Sequence, residues 1–323
     1  MARPLRLVAL CAPLLLAGCV LPGASLEPGA VGYARCEDPF PCGDEWPAGL
    51  EGPFALAQVL ALDIRSHDGI PLETYAYLPA LPEGVKAPVV LMSTPYPGAC
   101  ASNTGGCSRR GDDPSFTTRM DVATLVEAGY AVVIANVRGT GNSGGCFGMG
   151  GRDEQLDQVA LVEQVAAAEW SNGRVGMIGH SYPSFTAWMA AVQAPPALKT
   201  VVVSGHMTDL YLAYHTPQGA ASLHGGWFQA GYSGSLNFVP PLGGGAAHVV
   251  QGHPPVAAQR ACPQAVHAAL ETQRSALVDA RDAAYWEERR ISSRLGDVKA
   301  AVLSVSGFED SALLFHAFQD DSV

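Results

Sequence analysis

The residues best suited to chemistry surround Ser181, in the segment 179–184 (GHSYPS). An apolar segment precedes it and a helical pattern follows, so the serine is predicted to lie on a sharp strand-to-helix turn. Such a turn lifts the hydroxyl out of the sheet with a helix N-terminus behind it, which favours attack on a carbonyl carbon. Serine is also a common helix N-cap, and that interpretation stays open at this point. The usual G-x-S-x-G pattern would have glycine at 183, where this chain has Pro183 followed by the small Ser184.

Two other motifs resemble binding sequences but stand in the wrong context. Residues 139–144 (GTGNSG) satisfy G-x-G-x-x-G after a predicted strand. More glycines follow instead of a helix, so no helix N-terminus is predicted to meet a dinucleotide pyrophosphate. Residues 224–227 (HGGW) resemble a lipase oxyanion segment, yet they come after the serine in the chain. No C-x-x-C or H-E-x-x-H spacing occurs, and we predict no metal and no cofactor.

Buried strands that alternate with helices must position the serine. Apolar runs and hydrophobic periodicity predict an opening antiparallel pair and then a mostly parallel sheet covered on both faces. The predicted strands are 58–66, 73–78, 88–93, 130–136, 174–178, 200–204 and 300–306, and the predicted helices are 119–128, 153–169 and 182–193. Residues 206–295 interrupt the alternation with Gly and Pro clusters and two helix-like stretches, 263–277 and 279–290. This segment is predicted to be a cap inserted over the carboxyl edge of the sheet.

The N-terminal residues predict export and a lipid anchor. Arg3 and Arg6 form a short positive region at the start of a 14-residue apolar run, 5–18, which is too short to span a bilayer as a helix. It ends in Leu-Ala-Gly before Cys19, as in bacterial lipoprotein signals, so we expect residues 1–18 to be removed and Cys19 to be acylated. Residues 19–53 then form a linker, and residues 54–323 an α/β domain that contains the predicted cap. We therefore expect the protein in the cell envelope, held to a membrane only through its lipid.

Six cysteines remain after Cys11 and Cys19, an even number that suggests disulfides in an oxidising compartment. The shortest loops would pair Cys36 with Cys42 and Cys100 with Cys107, which leaves Cys146 with Cys262. Fifteen connectivities exist for six cysteines, so this pairing is one hypothesis among several.

The charge of the chain argues against one class of partner. It has 30 acidic and 19 basic residues, a formal charge of −11, and its three lysines stand apart, at Lys86, Lys199 and Lys299. Nucleic-acid binding needs clustered positive charge that neutralises phosphates, so no nucleic-acid partner is predicted.

Several stretches, in the same order, resemble the family that contains cocaine esterase, α-amino ester hydrolases, glutaryl-cephalosporin acylases and X-prolyl dipeptidyl peptidases. They are 68–72 (DGIPL), 94–96 (TPY), 137–145 (VRGTGNSGG), 170–177 (WSNGRVGM), 179–182 (GHSY) and Trp286 ahead of 307–310 (GFED). Each is weak alone, but together they are specific, and they cover residues 55–315. The resemblance implies a serine hydrolase with an α/β-hydrolase core, a helical cap and a C-terminal jelly roll.

The resemblance also implies roles for individual residues. Ser181 matches the nucleophile, and the backbone N–H of Tyr182 matches one oxyanion donor. The hydroxyl of Tyr96 matches the other donor. Asp310 matches the acid of the triad, with Glu309 as the alternative.

The triad histidine has no clear match. In this fold it follows the acid after another helix and strand, but only His316 lies beyond Asp310, six residues later and within a predicted helix. We therefore expect the chain to be truncated at its C-terminus, without the final strand, the histidine loop and the jelly roll.

Two classes of function remain open from the sequence. The first is a serine hydrolase that cleaves a small-molecule ester, an amide or an X-Pro peptide through an acyl-enzyme on Ser181. The second is a hydrolase-like surface binding module without catalysis. An amino-ester or X-Pro substrate would need carboxylates for its ammonium group, and the acids of the cap are candidates: Asp209, Asp279, Asp282, Glu287 and Glu288.

Overall fold

The computed structural model describes residues 50–95, 122–140, 143–205, 207–215, 281 and 283–305. The chain divides into two compact units, Met1–Glu51 and Gly52–Val323. The first unit lies almost wholly outside the described residues, and every described helix and strand belongs to the second. None of the helices in the described ranges has the length and hydropathy that crossing a bilayer requires.

Seven strands and five α-helices account for most of the described chain. The strands are β1 (Leu56–Arg65), β2 (Pro71–Pro79), β3 (Ala87–Thr94), β4 (Ala131–Asn136), β5 (Ser171–His180), β6 (Leu198–Ser204) and β7 (Ala301–Val305). The helices are α1 (Val122–Glu127), α2 (Arg152–Ala166), α3 (Tyr182–Ala191), α4 (Leu210–Tyr214) and α5 (Ala284–Glu288), followed by a 3-10 helix, Ile291–Asp297.

The strands form one sheet in the order β1-β2-β4-β3-β5-β6-β7. The β1–β2 and β2–β4 pairs are antiparallel, and every pair from β4 to β7 is parallel. The sequence prediction of an antiparallel opening and a mostly parallel sheet is therefore confirmed. The carboxyl ends of β3, β5 and β6 meet at one edge, and the turn at Ser181 lies there.

Helices cover both faces of the sheet, which explains the continuous apolar strands. All six residues of β4 (AVVIAN) are buried, because neither face of that strand meets solvent. One face packs against α2 and against α3, whose ten residues are all buried. The other packs against α1 through Val122 and Val126. At the edge of the sheet, by contrast, all five residues of β7 are exposed.

Helix α1 ends where the sequence predicts. Gly129 adopts a φ of 92°, a conformation that glycine takes without steric cost. The N–H groups of Gly129 and Tyr130 then bond back to the carbonyls of Val126 and Leu125, at 2.9 and 3.0 Å. These bonds close the last turn of the helix and turn the chain into β4.

The end of the predicted cap differs from the sequence prediction. A helix was predicted over 279–290, but α5 covers only Ala284–Glu288, and the 3-10 helix that follows was not predicted. The backbone is redirected there by a bridge between Asp209 and Arg290 and by a hydrogen bond from the Ser292 N–H to the Thr208 carbonyl, at 2.8 Å. The predicted helix at 263–277 lies outside the described residues.

Candidate active site

Ser181 lies on the turn between β5 and α3, as predicted, with its residue partly exposed. Its backbone has φ 61° and ψ −126°, a conformation that residues with a side chain rarely adopt. The Ser181 N–H donates to the carbonyl of Ser204 on β6 at 3.0 Å, and its own carbonyl accepts from the N–H of Ser184 at 3.0 Å. Strain of this kind persists only where the surroundings hold it, and it is concentrated at functional sites.

The turn is tight because Gly179 has no side chain. A Cβ at this position would lie 2.2 Å from the carbonyl carbon and oxygen of Pro183, and 2.4 Å from the backbone nitrogen of Ser184. The close approach thus involves the backbone at 183, where proline stands in the first turn of α3 and no N–H is needed. This geometry explains how the chain forms the turn without the usual second glycine.

The side chain of Tyr182, the residue after the serine, is held by two aromatic rings and by a hydrogen bond. Its side chain is buried between the rings of Phe147 and Phe185, each with a centroid 5.7 Å away. Its hydroxyl donates to Oε1 of Glu154 on α2 at 2.7 Å. The other carboxylate oxygen of Glu154 accepts the N–H of Gly150 at 3.0 Å. The peptide that joins positions 181 and 182 is therefore tied to the N-terminal turn of α2.

Burial controls the ionisation of this carboxylate. Glu154 is 1% exposed, and the loss of solvation raises its pKa from 4.5 to about 7. The negative charge of Asp157 adds to this rise. The hydrogen bonds from Tyr182 and Gly150, and the positive charge of Arg138, act in the opposite direction.

Replacing Glu154 by Gln is expected to change how stability depends on pH. The raised pKa means that the folded protein holds this proton more tightly than the unfolded chain does, so Glu154 contributes stability that is fully present below about pH 4.5. That contribution, about 3 kcal/mol of the free energy of unfolding, is lost as the pH rises through about 7. Urea unfolding across this range should show the wild-type protein losing that amount relative to Glu154→Gln.

Glu163→Gln is the matched control, because it removes an exposed carboxylate from the same helix. It should follow the wild-type pH dependence. Parallel curves for the wild-type protein and Glu154→Gln would show that Glu154 is not the titrating group.

A second buried charge network lies beside this anchor. Arg138, after β4, donates from Nε and one terminal nitrogen to the two oxygens of Asp157, at 2.6 and 2.7 Å. Its terminal nitrogens also reach Asp68 at 3.1 and 3.3 Å. Burial raises the pKa of Asp68, but hydrogen bonds from Ser66 and Arg138 outweigh it and lower this pKa to about 2.

Within the described residues, one cluster has the ligand types of a metal site: His67, Asp68 and Asp157, whose ligand atoms lie within 4.8 Å of one another. Its carboxylate oxygens already accept the guanidinium of Arg138, and His67 Nδ1 lies 3.0 Å from Asp157 Oδ1. A cation would have to compete with an arginine that is 5% exposed. We therefore assign the cluster a structural role that joins the β1–β2 turn to α2.

The described residues of the glycine loop, 139–140 and 143–151, bond to one another and to the end of the predicted cap. The Gly139 N–H bonds to the Gly144 carbonyl at 2.8 Å, and α2 begins only at Arg152. Arg289 after α5 donates to the carbonyls of Gly148 and Met149, at 2.9 and 3.1 Å. The loop between β4 and α2 is thus closed on itself and tied to the end of the predicted cap.

The cap acids in the described residues already have partners. Asp209 is fully buried, caps α4 at the N–H of Tyr211, and accepts from Arg281 at 2.6 Å. Glu287 pairs with Arg290, and Glu288 accepts the N–H of Arg152. These three are therefore poor candidates for binding a substrate ammonium group, and Asp279 and Asp282 lie outside the described residues.

The remaining predicted site residues lie outside the described residues: Cys19, Tyr96, Glu309, Asp310 and His316. Their predicted roles stay predictions. Cys146 has a disulfide bond, and its partner also lies outside the described residues, so the pairing with Cys262 stays a prediction too.

Sequence reasoning missed Glu154 and Arg138 as parts of the site. The signal available was a pair of acids at i and i+3, Glu154 and Asp157, on the inner face of the amphipathic pattern of α2. Acids on a buried face need partners, and a search for those partners could have led to Arg138 and Tyr182.

Comparison with known proteins agrees with this geometry. Cocaine esterase of Rhodococcus sp. (strain MB1 Bresler) is 31% identical over 180 residues, which cover 54% of this chain and 28% of that protein. The crystal structure of a CocE/NonD family hydrolase from Staphylococcus aureus matches with a TM-score of 0.53 at 23% identity, over 74% of this chain and 39% of that chain. An aminopeptidase from the marine sediment archaeon Thaumarchaeota archaeon matches with a TM-score of 0.52 at 21% identity, over 90% and 50% of the two chains.

The structural matches show that the fold is that of an α/β-hydrolase. The aligned regions cover between 23% and 40% of the length of the curated relatives. A family model described as X-Pro dipeptidyl-peptidase (S15 family) matches residues 68–319, well over half of the sequence. The chain therefore belongs to the X-Pro dipeptidyl-peptidase (S15) family.

Proposed function

We propose that the protein is a serine hydrolase that cleaves an ester or amide through an acyl-enzyme on Ser181. The observation that carries the proposal is the strained, partly exposed Ser181 at the N-terminus of α3. Its Oγ bonds to the substrate carbonyl carbon, and the hydroxyl proton passes through a general base to the leaving group. Water then attacks the acyl-enzyme, releases the acid product and restores the hydroxyl.

The oxyanion of each tetrahedral intermediate needs preorganised donors. The backbone N–H of Tyr182 is the first, because it follows the nucleophile on the turn. The family resemblance assigns the second to the hydroxyl of Tyr96 and the triad acid to Asp310. Losing one donor of this type costs about 100- to 1,000-fold in rate.

The names of the family and of one relative indicate the class of substrate. The family is described as X-Pro dipeptidyl-peptidase, and the similar Rhodococcus protein is named a cocaine esterase. We propose a small ester, an amide or an X-Pro peptide, and no cofactor. Hydrolysis of p-nitrophenyl acetate compared with Gly-Pro-p-nitroanilide separates an esterase from a peptidase.

We also propose that the protein is exported and held to a membrane by lipid on Cys19. The support comes from the sequence alone: a short apolar run between two arginines and Leu-Ala-Gly-Cys. Incorporation of labelled palmitate that requires Cys19 is the check, and a protein that carries no lipid would contradict the proposal.

Ser181→Ala tests the proposed nucleophile. A fluorophosphonate probe forms a bond only with an activated serine, so the wild-type chain should be labelled at Ser181 and Ser181→Ala should not be labelled. Intact-protein mass spectrometry reads the result, with peptide mapping to locate the adduct. Ser293→Ala, which removes an exposed serine hydroxyl in the 3-10 helix, is the control and should keep full labelling. A wild-type chain that stays unlabelled would favour the hydrolase-like binding module.

A further inference from the structure

Glu154 is a buried acid that the chemistry proposed above does not use. Its two carboxylate oxygens accept hydrogen bonds from two different parts of the site. Oε1 accepts the hydroxyl of Tyr182 on α3 at 2.7 Å, and Oε2 accepts the N–H of Gly150 in the glycine loop at 3.0 Å. Both the glutamate and the tyrosine are 1% exposed, so water cannot replace either bond at low cost.

The Glu154–Tyr182 hydrogen bond holds the residue whose backbone N–H is the proposed oxyanion donor. Tyr182 follows Ser181 directly, and its ring lies between Phe147 and Phe185, so its side chain has little freedom to turn. With the hydroxyl fixed at the far end of the ring, the Cα of Tyr182 and the peptide before it are fixed as well. A displacement of about 1 Å at a reacting group can cost about 100-fold in rate.

We propose that Glu154 is a positioning residue of the Ser181 site, which holds the Ser181–Tyr182 peptide N–H in the oxyanion-binding position through the Tyr182 hydroxyl. This inference rests on the proposed function and deepens it. Glu154 touches neither substrate nor nucleophile and acts only through Tyr182.

The charge on Glu154 makes this role dependent on pH. The ionised carboxylate accepts from both Tyr182 and Gly150, whereas in the protonated group one oxygen carries the O–H, which is a donor and a much weaker acceptor. The charged and titratable groups that face it are Asp157 on its own helix, Arg138 after β4 and the Tyr182 hydroxyl on α3. With burial, they set its pKa at about 7. Gln at this position resembles the protonated form at every pH.

The test measures the second-order rate of fluorophosphonate labelling from about pH 5.5 to 9. Above about pH 8, Glu154→Gln and Tyr182→Phe should each be labelled about 10-fold more slowly than the wild-type chain, a partial loss of one oxyanion donor. The double variant should be no slower than the slower single variant, because both changes remove the hydrogen bond from the Tyr182 hydroxyl to a carboxylate oxygen. The ratio of wild-type to Glu154→Gln rates should fall towards 1 below about pH 6. Titration of the general base is common to both proteins and cancels in this ratio.

Thr74→Val is the control for general loss of structure. It removes a buried hydroxyl that donates to the Leu72 carbonyl at 3.0 Å on β2, and labelling should stay at the wild-type rate. A wild-type chain labelled at Ser181, with Glu154→Gln and Tyr182→Phe at the same rate, would overturn the positioning role alone. A ratio that does not change with pH would also overturn it, because a purely structural defect would slow labelling equally at every pH. A wild-type chain without labelling at any pH would overturn the proposed function, and the positioning role with it.

Discussion

Gly179→Ala is expected to slow fluorophosphonate labelling of Ser181 by at least about 100-fold. The added Cβ would lie 2.2 Å from the Pro183 carbonyl and 2.4 Å from the Ser184 nitrogen, both of them backbone atoms. Because backbone cannot rotate away as a side chain can, the first turn of α3 must move off β5. Ser181, whose conformation depends on both elements, then loses its position. The labelling rate and the urea midpoint of the same preparation measure the effect.

The loss of labelling should exceed the loss of stability. Overpacking a core position costs about 1–3 kcal/mol, so most of the variant stays folded in a protein of ordinary stability. Gly296→Ala is the matched control, because a Cβ there meets nothing within 4 Å. Full labelling of folded Gly179→Ala would mean that the turn can relax without moving Ser181. The strained backbone of Ser181 would then not be required for its reactivity.

The elements that position Ser181 could be predicted because their signals are local. Strand β4 is five consecutive apolar residues and an asparagine before a glycine-rich loop, and α3 is an apolar helix that begins at the turn. The turn itself was recognisable from the small residues around Ser181. Each of these signals spans fewer than fifteen residues, and the physical cause, burial on both faces of a sheet, acts on the segment itself.

The contacts that support the turn could not be predicted in the same way. Glu154 lies 28 residues before Tyr182, and Arg138 lies 70 residues after Asp68. Polar partners at such separations leave no periodicity in the sequence, and they meet only because the sheet order brings β4, α2 and α3 together. The same reason applies to the 3-10 helix, which begins beside the bridge between Asp209 and Arg290.

These long-range contacts converge on α2. Its first turn carries Glu154, which holds Tyr182, and its next turn carries Asp157, which holds Arg138. Asp157 raises the pKa of Glu154 and Arg138 lowers it. The Arg138–Asp157 ion pair therefore helps to set the charge of Glu154, which holds Tyr182. Breaking this ion pair should change both the stability of the protein and the Glu154–Tyr182 hydrogen bond.

Arg138→Met is expected to lower the free energy of unfolding by about 3–5 kcal/mol, because it leaves the buried carboxylate of Asp157 without its bidentate partner. Asp157 is 1% exposed and Arg138 5%, so solvent cannot take over the role of the guanidinium. Urea unfolding at neutral pH measures the loss. Arg65→Met is the matched control, because it breaks an exposed ion pair with Asp63. The side chains of Arg65 and Asp63 are 52% and 70% exposed, so this change should lower the free energy of unfolding by at most about 1 kcal/mol. Similar losses in the two variants would show that the Arg138 network is no stronger than a surface pair.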